Sequence, residues 1–486
     1  MILSGPVPDP GSGEDRSLEL SSDTFRELVD AATTRLVEYV ESLPTQPSAD
    51  TEGGAALARS LAEPLPETGR PYQELLDLLF EKVVRKGFGT AGPGYLAYIP
   101  GGGILHTAVA DFIADGVNRY VGVFAAAPGL AAIEANVVRW FSDLVGYPPG
   151  ARGFLTTGGS LANFSALVTA RRERLPDDFL AATLYVSDQT HHSVAKAAML
   201  AGFPESSVRA VPSDADFRVR LDALEEAVSR DRAAGRRPFF VVGNAGTTNT
   251  GAVDDLHGLA DFCERERLWL HVDAAYGGFF LLTPEGREVL RGISRCDSVV
   301  LDPHKGLFLP YGTGSLLVRD GGALTRAHAL SADYMPEMQQ DPELVDFNLV
   351  SPELSRAWRG LRVWLPIAMH GIAPFRRNLQ EKLELARWAA AELRTIPDVE
   401  ILAEPQLSIV AFRIRRRGLD EDAANALNRR FLQAINARER VYLTGTMLGP
   451  RFALRICVLS FRTHADRMRD AMADIREAAA EVVEDL

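Results

Sequence analysis

Residues Ser298–Phe308 read SVVLDPHKGLF, a short apolar run that leads directly into Asp302, Pro303, His304 and Lys305. The aliphatic and β-branched residues of the run predict a buried β-strand, and the proline marks its end. Because lysine side chains are almost always exposed unless they are paired, one interpretation of Lys305 is a solvated strand end. The other is a lysine held at a chemical site, and the neighbouring segments must decide between the two.

Short apolar runs alternate with helical patterns around this stretch, with helices predicted over Leu161–Arg174 and Val253–Arg267. This alternation predicts an α/β fold with a mainly parallel central sheet that is covered on both faces. In such sheets ligands bind outside the carboxyl ends of the strands. The strand candidates are ATLYVSD, PFFVVGNAG, LWLHVDAAY, DSVVLDP and GSLLVRD, and the polar residues at their ends are Asp188, His191, Thr247, Asp273, His304 and Lys305.

The chain of 486 residues is too long for one simple core, and the pattern of predicted helices and strands changes twice along it. We expect an N-terminal helical segment over residues 1–90, because two amphipathic helical patterns open the chain. A large domain over residues 91–370 carries the strand and helix alternation. The strand patterns LSIVAFRIR and RFALRICVLS, set between helical patterns, predict a smaller C-terminal α+β domain over residues 371–486.

The composition excludes several classes of protein. A net charge of −13 argues against nucleic-acid binding, which requires a basic surface. No uninterrupted apolar run is long enough to suggest a membrane span. The three cysteines are widely spaced, so we expect no disulfide scaffold and no metal site. These features favour a cytoplasmic enzyme that acts on a small molecule.

Three further segments carry polar or small residues at strand ends. Gly158–Ser160 lies between a strand and a helix, where it could cradle a phosphate or form a simple glycine turn. Asp273 ends an apolar strand, so its carboxylate would either meet a positive partner such as a protonated pyridine nitrogen or cap the next helix. His191 and His192 could stack on an aromatic ring or handle protons, whereas a metal would need further ligands that are missing.

Together these segments place a phosphate cradle, a stacking residue, a carboxylate and a lysine at one edge of one sheet. Pyridoxal phosphate needs a lysine that holds its aldehyde as a Schiff base and an acid that keeps its ring nitrogen protonated. The sequence therefore predicts a site for pyridoxal phosphate, with Lys305 as the Schiff-base lysine.

The chain resembles the group II pyridoxal-phosphate-dependent decarboxylases, the family of aromatic-L-amino-acid decarboxylase. The motifs that carry the resemblance are, in chain order, SDQTHHSV, NAGTTNTGAVD, HVDAAYGG and DPHK. The resemblance implies the aspartate aminotransferase-like fold type I and a homodimer with active sites at the subunit interface, which the N-terminal helices would reinforce. By matched motif it implies Lys305 as the Schiff-base lysine, Asp273 as the pyridinium partner and His191 as the stacking residue, with Gly159, Ser160, Thr247, Ala275, Asp302 and His304 around the cofactor.

The same resemblance implies that Tyr334, in a loop after the lysine, protonates the substrate Cα together with or in place of His191. Phenylalanine at this position is typical of members that form aldehydes. The substrate wall would comprise Tyr98, Ile99, Pro100, Gly101 and Gly122. Aromatic-specific animal members commonly have Phe, Thr and Phe at the positions of Ile99, Gly101 and Gly122, so the resemblance implies a pocket with more room. Many relatives have Asn at the position of Asp302, and how the chain accommodates this carboxylate is open.

We therefore expect decarboxylation of an L-amino acid, with an aromatic substrate as the leading candidate, to the amine and carbon dioxide. An aldehyde synthase or lyase that uses the same cofactor is the nearest alternative. A nucleotide-binding α/β oxidoreductase would need a GxGxxG motif after the first strand, which the chain lacks. A binding protein without activity is the last alternative, and it does not explain why every polar group of the site is present.

Overall fold

The computed structural model describes residues 18–330, 341 and 343–484, so the predicted Tyr334 lies outside the described residues. The chain divides into two units, residues 1–89 and residues 90–486. The first unit contains helices α1 (Ser22–Ser42), α2 (Gly54–Ser60) and α3 (Tyr72–Asp77) and the antiparallel strands β1 (Ala49–Asp50) and β2 (Gly87–Phe88). The second unit contains both larger sheets, and the predicted division of the chain at residue 371 stays a prediction.

The large sheet of the second unit has seven strands in the order β3-β9-β8-β7-β6-β4-β5. Its neighbouring strands are parallel except at β9, which is antiparallel to both β3 and β8. The predicted mainly parallel sheet is therefore confirmed. The strands are β3 (Arg152–Thr156), β4 (Ala182–Ser187), β5 (Val208–Val211), β6 (Arg237–Asn244), β7 (Trp269–Asp273), β8 (Ser298–Leu301) and β9 (Gly314–Val318).

Helices cover both faces of this sheet. In β8, Val299 and Leu301 join one apolar core, whereas Val300 joins the core on the opposite face. A strand that is buried on both faces explains why the run is apolar at every position rather than at alternate ones. The helices up to the C-terminal region are α4 (Leu105–Val117), α5 (Pro128–Val145), α6 (Gly159–Arg174), α7 (Ser193–Leu200), α8 (Leu221–Ala233), α9 (Leu256–Glu266), α10 (Pro284–Val289), α11 (Pro303–Gly306), α12 (Gly321–His328), α13 (Phe347–Val350) and α14 (Gly360–His370).

The two helices predicted from the sequence differ slightly from those in the structure. Helix α6 begins at Gly159, two residues earlier than predicted. Helix α9 begins three residues later than predicted, because Val253 pairs with Ala245 in an isolated bridge and Asp255 caps the helix by accepting a hydrogen bond from the Gly258 backbone N–H. Side-chain capping of this kind is a local signal for a helix start.

The C-terminal region forms a second, antiparallel sheet in the order β10-β11-β13-β12. Buried residues of this sheet and of three helices form a separate apolar core that includes Phe412, Phe431 and Ile475. The elements are α15 (Ala373–Leu393), β10 (Val399–Ala403), β11 (Ile409–Ile414), α16 (Glu421–Asn436), β12 (Thr444–Leu448), β13 (Arg451–Cys457) and α17 (Ala465–Glu484). Across the described ranges, none of the helices is both long enough and apolar enough to cross a membrane.

Candidate active site

A cavity of about 280 Å³ lies at the carboxyl ends of the parallel strands, where the sequence predicts a site. Nine predicted residues line it, together with residues that the sequence analysis did not assign. The predicted ones are Gly159, Ser160, His191, Thr247, Asp273, Ala275, Asp302, His304 and Lys305. The others include Thr157, Asn163, Ser193, Asn244, Thr248 and Tyr276.

Lys305 lies on the one-turn helix α11, which Pro303 begins directly after strand β8. Its Nζ is 3.0 Å from Oδ2 of Asp302, and its side chain is 23% exposed. Burial alone would lower the pKa of Lys305, but the carboxylates of Asp302 and Asp273 outweigh burial and hold the pKa above its ordinary value. Lys305 is therefore a paired lysine that faces a cavity, which rules out a solvated strand end.

Asp302 is accommodated by the lysine that follows it and by a histidine. The residue is 1% exposed, and its Oδ2 lies 3.0 Å from Nζ of Lys305 and 3.6 Å from Nε2 of His304. Its other oxygen, Oδ1, is buried without a hydrogen-bond partner among the described residues. A buried carboxylate is tolerated when a cation lies next to it, and here Lys305 supplies that charge.

Asp273 ends strand β7 and presents its carboxylate to the same cavity. Its Oδ2 accepts a hydrogen bond of 3.0 Å from Nδ2 of Asn163, and its Oδ1 accepts one of 3.2 Å from the backbone N–H of Ala275. Among the described residues no ion pair involves Asp273. The carboxylate is oriented by two neutral donors, so it retains acceptor capacity for a group inside the cavity.

His191 lines the cavity with its ring close to that of His192, at a centroid distance of 4.2 Å. Its Nδ1 lies 2.8 Å from Oγ of Ser193 and 3.3 Å from the Ser193 backbone N. Burial lowers the pKa of His191, while the carboxylate of Asp273 opposes that effect. The imidazole is therefore mainly neutral at neutral pH.

The first turn of α6 forms one wall of the cavity through Gly159, Ser160 and Leu161. A Cβ on Gly159 would lie 3.0 Å from Oδ2 of Asp302 and 3.4 Å from Cβ of Ala275, so the glycine keeps this space open. The helix has 16 residues, and no side chain caps its N-terminus. The first backbone N–H groups of a helix have no partner within the helix, and together with the positive end of the helix dipole they make this wall favourable for an anion.

The five residues predicted for the substrate wall lie in different places. Tyr98 lines a second cavity, of about 640 Å³, which shares His191 and Thr248 with the first cavity. Ile99 and Pro100 are buried, and Gly101 packs so closely that a Cβ there would lie 2.1 Å from the carbonyl oxygen of His304. None of these three residues lines either cavity, and their contact with a substrate stays a prediction.

Gly122 also lies outside the linings of the two cavities. A Cβ at this position would lie 2.3 Å from the carbonyl oxygen of Leu354 and 2.9 Å from Oη of Tyr120. The space beside the glycine is therefore filled by other groups of the chain. The expectation that this glycine adds room for a substrate stays a prediction.

Two functional candidates were missed by the sequence analysis. Asn163 lies one helical turn after Gly159, so the spacing of GGSLAN places both on one face of α6 and could have indicated it. Arg455 is 3% exposed and lines the second cavity, where it donates to the carbonyl of Tyr98 (2.9 Å) and to Oγ1 of Thr444 (3.2 Å). Burial lowers the pKa of Arg455, and no local sequence pattern marks this residue.

Comparison with known proteins identifies the family of the chain. The family model described as "Pyridoxal-dependent decarboxylase conserved domain" matches residues 56–415. The chain is 35% identical over 468 residues to aromatic-L-amino-acid decarboxylase of Bacillus atrophaeus, which covers 96% of this chain and 98% of that protein.

Solved structures give the same fold. The crystal structure of Oryza sativa TDC with PLP and tryptamine matches with a TM-score of 0.91 and 27% identity, over 95% of this chain and 99% of that chain. Rhodiola rosea 4-hydroxyphenylacetaldehyde synthase has a TM-score of 0.89 at 24% identity, over 96% of this chain and 99% of that chain, and shows a likeness of fold alone. The predicted fold type I is confirmed. The chain belongs to the pyridoxal-dependent decarboxylase family, whose members are carboxy-lyases that act on amino acids with pyridoxal phosphate as cofactor.

Proposed function

We propose that the chain decarboxylates an aromatic L-amino acid, at the cavity that contains Lys305, to the corresponding amine and carbon dioxide. The observation that carries the proposal is the convergence of a lysine, a carboxylate, an imidazole and a helix N-terminus on one cavity of about 280 Å³. The family match supports the reaction class, and the relatives named above support the aromatic substrate class.

The residues of the cavity fit pyridoxal phosphate in charge and in space. The first turn of α6, with Gly159 and Ser160, suits the phosphate, and Asp273 suits the ring nitrogen. Lys305 would attach the aldehyde, while His191 and Ala275 would lie on the two faces of the ring. Thr247, Asp302 and His304 would complete the surroundings. When bound, pyridoxal phosphate supplies an electron sink for the bond that breaks at the substrate Cα.

The side chains around the cavity would then have distinct roles. Asp273 would hold a proton on the nitrogen that faces it, because its two hydrogen bonds come from neutral donors and leave the carboxylate with acceptor capacity. Lys305 would bind the cofactor and take it back when the amine leaves. His191 would supply a proton to Cα, and Tyr334, outside the described residues, would do so in its place or with it. These walls would also exclude water, which strengthens each charge interaction.

An aldehyde synthase that uses the same cofactor is the nearest alternative, and Tyr334 favours decarboxylation over it. The products separate the two reactions, because an aldehyde synthase would release ammonia and hydrogen peroxide. The decisive experiment incubates purified protein and pyridoxal phosphate with each common L-amino acid and measures carbon dioxide, amine, aldehyde and peroxide. Release of carbon dioxide and amine from tryptophan, tyrosine or phenylalanine is expected, and failure with all three would refute the proposed substrate class.

The chain offers an internal control for the proposed lysine. Lys382, on α15, is a fully buried lysine whose Nζ donates to the Thr463 carbonyl at 2.6 Å. Borohydride reduction of the loaded protein should leave a pyridoxyl adduct on the peptide of Lys305 and none on that of Lys382. An unlabelled Lys305 peptide would remove the basis of the proposed site.

We also propose a homodimer in the cytoplasm. Helix α4 supports the dimer, because Val109, Ile113 and Val117 are each more than 40% exposed. Three buried free cysteines are compatible with a reducing compartment. Light scattering of the full chain tests the dimer, and a monomer at micromolar concentration would contradict it.

A further inference from the structure

A continuous chain of buried hydrogen bonds leads from the core of the large sheet to the cavity. Nε1 of Trp269 donates to Oγ of Ser298 at 2.8 Å, and Nδ1 of His271 lies 2.8 Å from the same hydroxyl. Nε2 of His271 lies 2.9 Å from Oδ1 of Asn163. Each of these four residues is at most 4% exposed, so water does not compete for these hydrogen bonds.

The chain of hydrogen bonds branches at Asn163. Its Nδ2 donates to Oδ2 of Asp273 at 3.0 Å and to Oγ of Ser193 at 2.9 Å. From Ser193 the chain continues to Nδ1 of His191, at 2.8 Å. One side chain thereby reaches both the carboxylate and the imidazole that line the cavity.

The two end groups of this hydrogen-bond chain, the Trp269 indole and the Asp273 carboxylate, determine the direction of every hydrogen bond between them. An indole N–H can only donate and a carboxylate can only accept. Because the amide of Asn163 must turn its NH₂ group to Asp273, its Oδ1 accepts from Nε2–H of His271. Nδ1 of His271 then accepts from the Ser298 hydroxyl, which itself accepts from the indole. Burial lowers the pKa of His271 to about 4, which agrees with a neutral ring that donates through one nitrogen and accepts through the other.

The same reasoning determines the tautomer of His191. The Ser193 backbone N–H, which can only donate, points to Nδ1 of His191 at 3.3 Å. The Ser193 hydroxyl accepts from Asn163, and its single proton is available to the same nitrogen, 2.8 Å away. Nδ1 is thus an acceptor, and the proton of the neutral ring must lie on Nε2.

We propose that Asn163 is a positioning residue that orients the Asp273 carboxylate and, through Ser193, holds His191 as its Nε2–H tautomer. The functional consequence rests on the proposed roles of Asp273 and His191, whereas the tautomer itself does not. Asparagine suits this position because it combines two donors and one acceptor in a short side chain. Aspartate at 163 would place a second carboxylate against Asp273, and alanine would leave three buried groups without their partner.

The experiment uses the full chain, labelled with ¹⁵N-histidine, with and without pyridoxal phosphate. His191→Gln identifies the resonances of His191, and the ¹⁵N shifts of its ring report which nitrogen carries the proton. Ser193→Ala cuts only the branch to His191, whereas Asn163→Ala cuts both branches. Asn428→Ala is the matched control, because Asn428 is an equally buried asparagine on α16 that bonds only to backbone groups of the C-terminal region.

We expect Nδ1 of His191 to be unprotonated and Nε2 protonated in the wild type and in Asn428→Ala. Ser193→Ala removes the hydroxyl donor but keeps the backbone N–H, so it should raise the share of the Nδ1–H tautomer with little change in cofactor affinity. Asn163→Ala should mix the two tautomers and also weaken pyridoxal phosphate binding by about ten- to a hundredfold, as expected for a lost hydrogen bond to a charged group. A protonated Nδ1 in the wild type, or an unchanged tautomer in both Ser193→Ala and Asn163→Ala, would overturn the proposal. Because the cofactor-free protein reports the tautomer, this failure is distinct from absence of decarboxylase activity.

Discussion

Replacing Gly101 by alanine should displace the residues around Lys305 although it adds only one methyl group. The new Cβ would lie 2.1 Å from the carbonyl oxygen of His304, 3.1 Å from the carbonyl carbon and 3.4 Å from the carbonyl oxygen of Leu309. To bring the first distance to 3.0 Å, below which real Cβ contacts are essentially never seen, the two backbones must separate by about 0.9 Å. Neither obstacle is a flexible side chain that can rotate away.

The magnitude follows from that separation. Overpacking of a buried position typically lowers the free energy of unfolding by about 1–3 kcal/mol. A displacement of about 1 Å at a reacting group is associated with a loss of about a hundredfold in rate. Since His304 immediately precedes Lys305, we expect kcat/KM of Gly101→Ala to fall by about two orders of magnitude.

The assay compares kcat/KM for carbon dioxide release with the free energy of unfolding from urea titration. Gly129→Ala in the first turn of α5 is the matched control, because no atom outside the local helix backbone lies within 4 Å of its added Cβ and its φ is not positive. That variant should keep wild-type activity, with a free energy of unfolding equal to that of the wild type or up to about 1 kcal/mol higher. Wild-type kcat/KM in Gly101→Ala would show that the close approach to His304 does not position Lys305, and the reasoning would be refuted.

Three other perturbations test the charges of the second unit. Asp302→Asn should tighten the binding of inorganic phosphate to the cofactor-free protein by about tenfold, because the substitution removes a negative charge from the cavity. Calorimetry measures this affinity, and unchanged or weaker binding would contradict the prediction. Glu134→Gln should lower the free energy of unfolding in urea by about 3 kcal/mol, since it removes the nearer counter-charge of the buried Arg356, whose Nη2 is 2.6 Å from Oε1 of Glu134, and leaves only Oε2 of Glu353 at 3.9 Å from its Nε. A loss below 1 kcal/mol would disprove this. Burial raises the pKa of Asp254 to about 6. Between about pH 4 and pH 6 the folded chain therefore keeps a proton that the unfolded chain releases, so the free energy of unfolding falls as the pH rises over this interval. Asp254→Asn should reduce this pH-dependent loss in the free energy of unfolding by about 3 kcal/mol over the interval. Urea titrations at several pH values that show the same pH dependence in the variant and the wild type would refute the assignment.

Part of the fold and of the site follows from the sequence alone. Apolar runs with a small or polar residue at their ends predicted the mainly parallel sheet, and they located Asp273, His191 and Lys305 at one edge of it. This works because the carboxyl ends of parallel strands must lie on the same side of a sheet, whatever the order of the strands. The glycines at the start of α6 were recognisable from their position, since they follow strand β3.

Other features depend on which elements become neighbours, and only the tertiary structure decided them. Nothing in GSLLVRD shows that β9 runs antiparallel to its neighbours, because a strand buried on both faces has the same apolar composition in either direction. The hydrogen bond from Asn163 to Asp273 joins residues 110 positions apart, and its existence depends on α6 packing over β7. Likewise, the separation of Gly122 from the cavity that Tyr98 lines is set by loop packing, which leaves no periodic pattern in the chain.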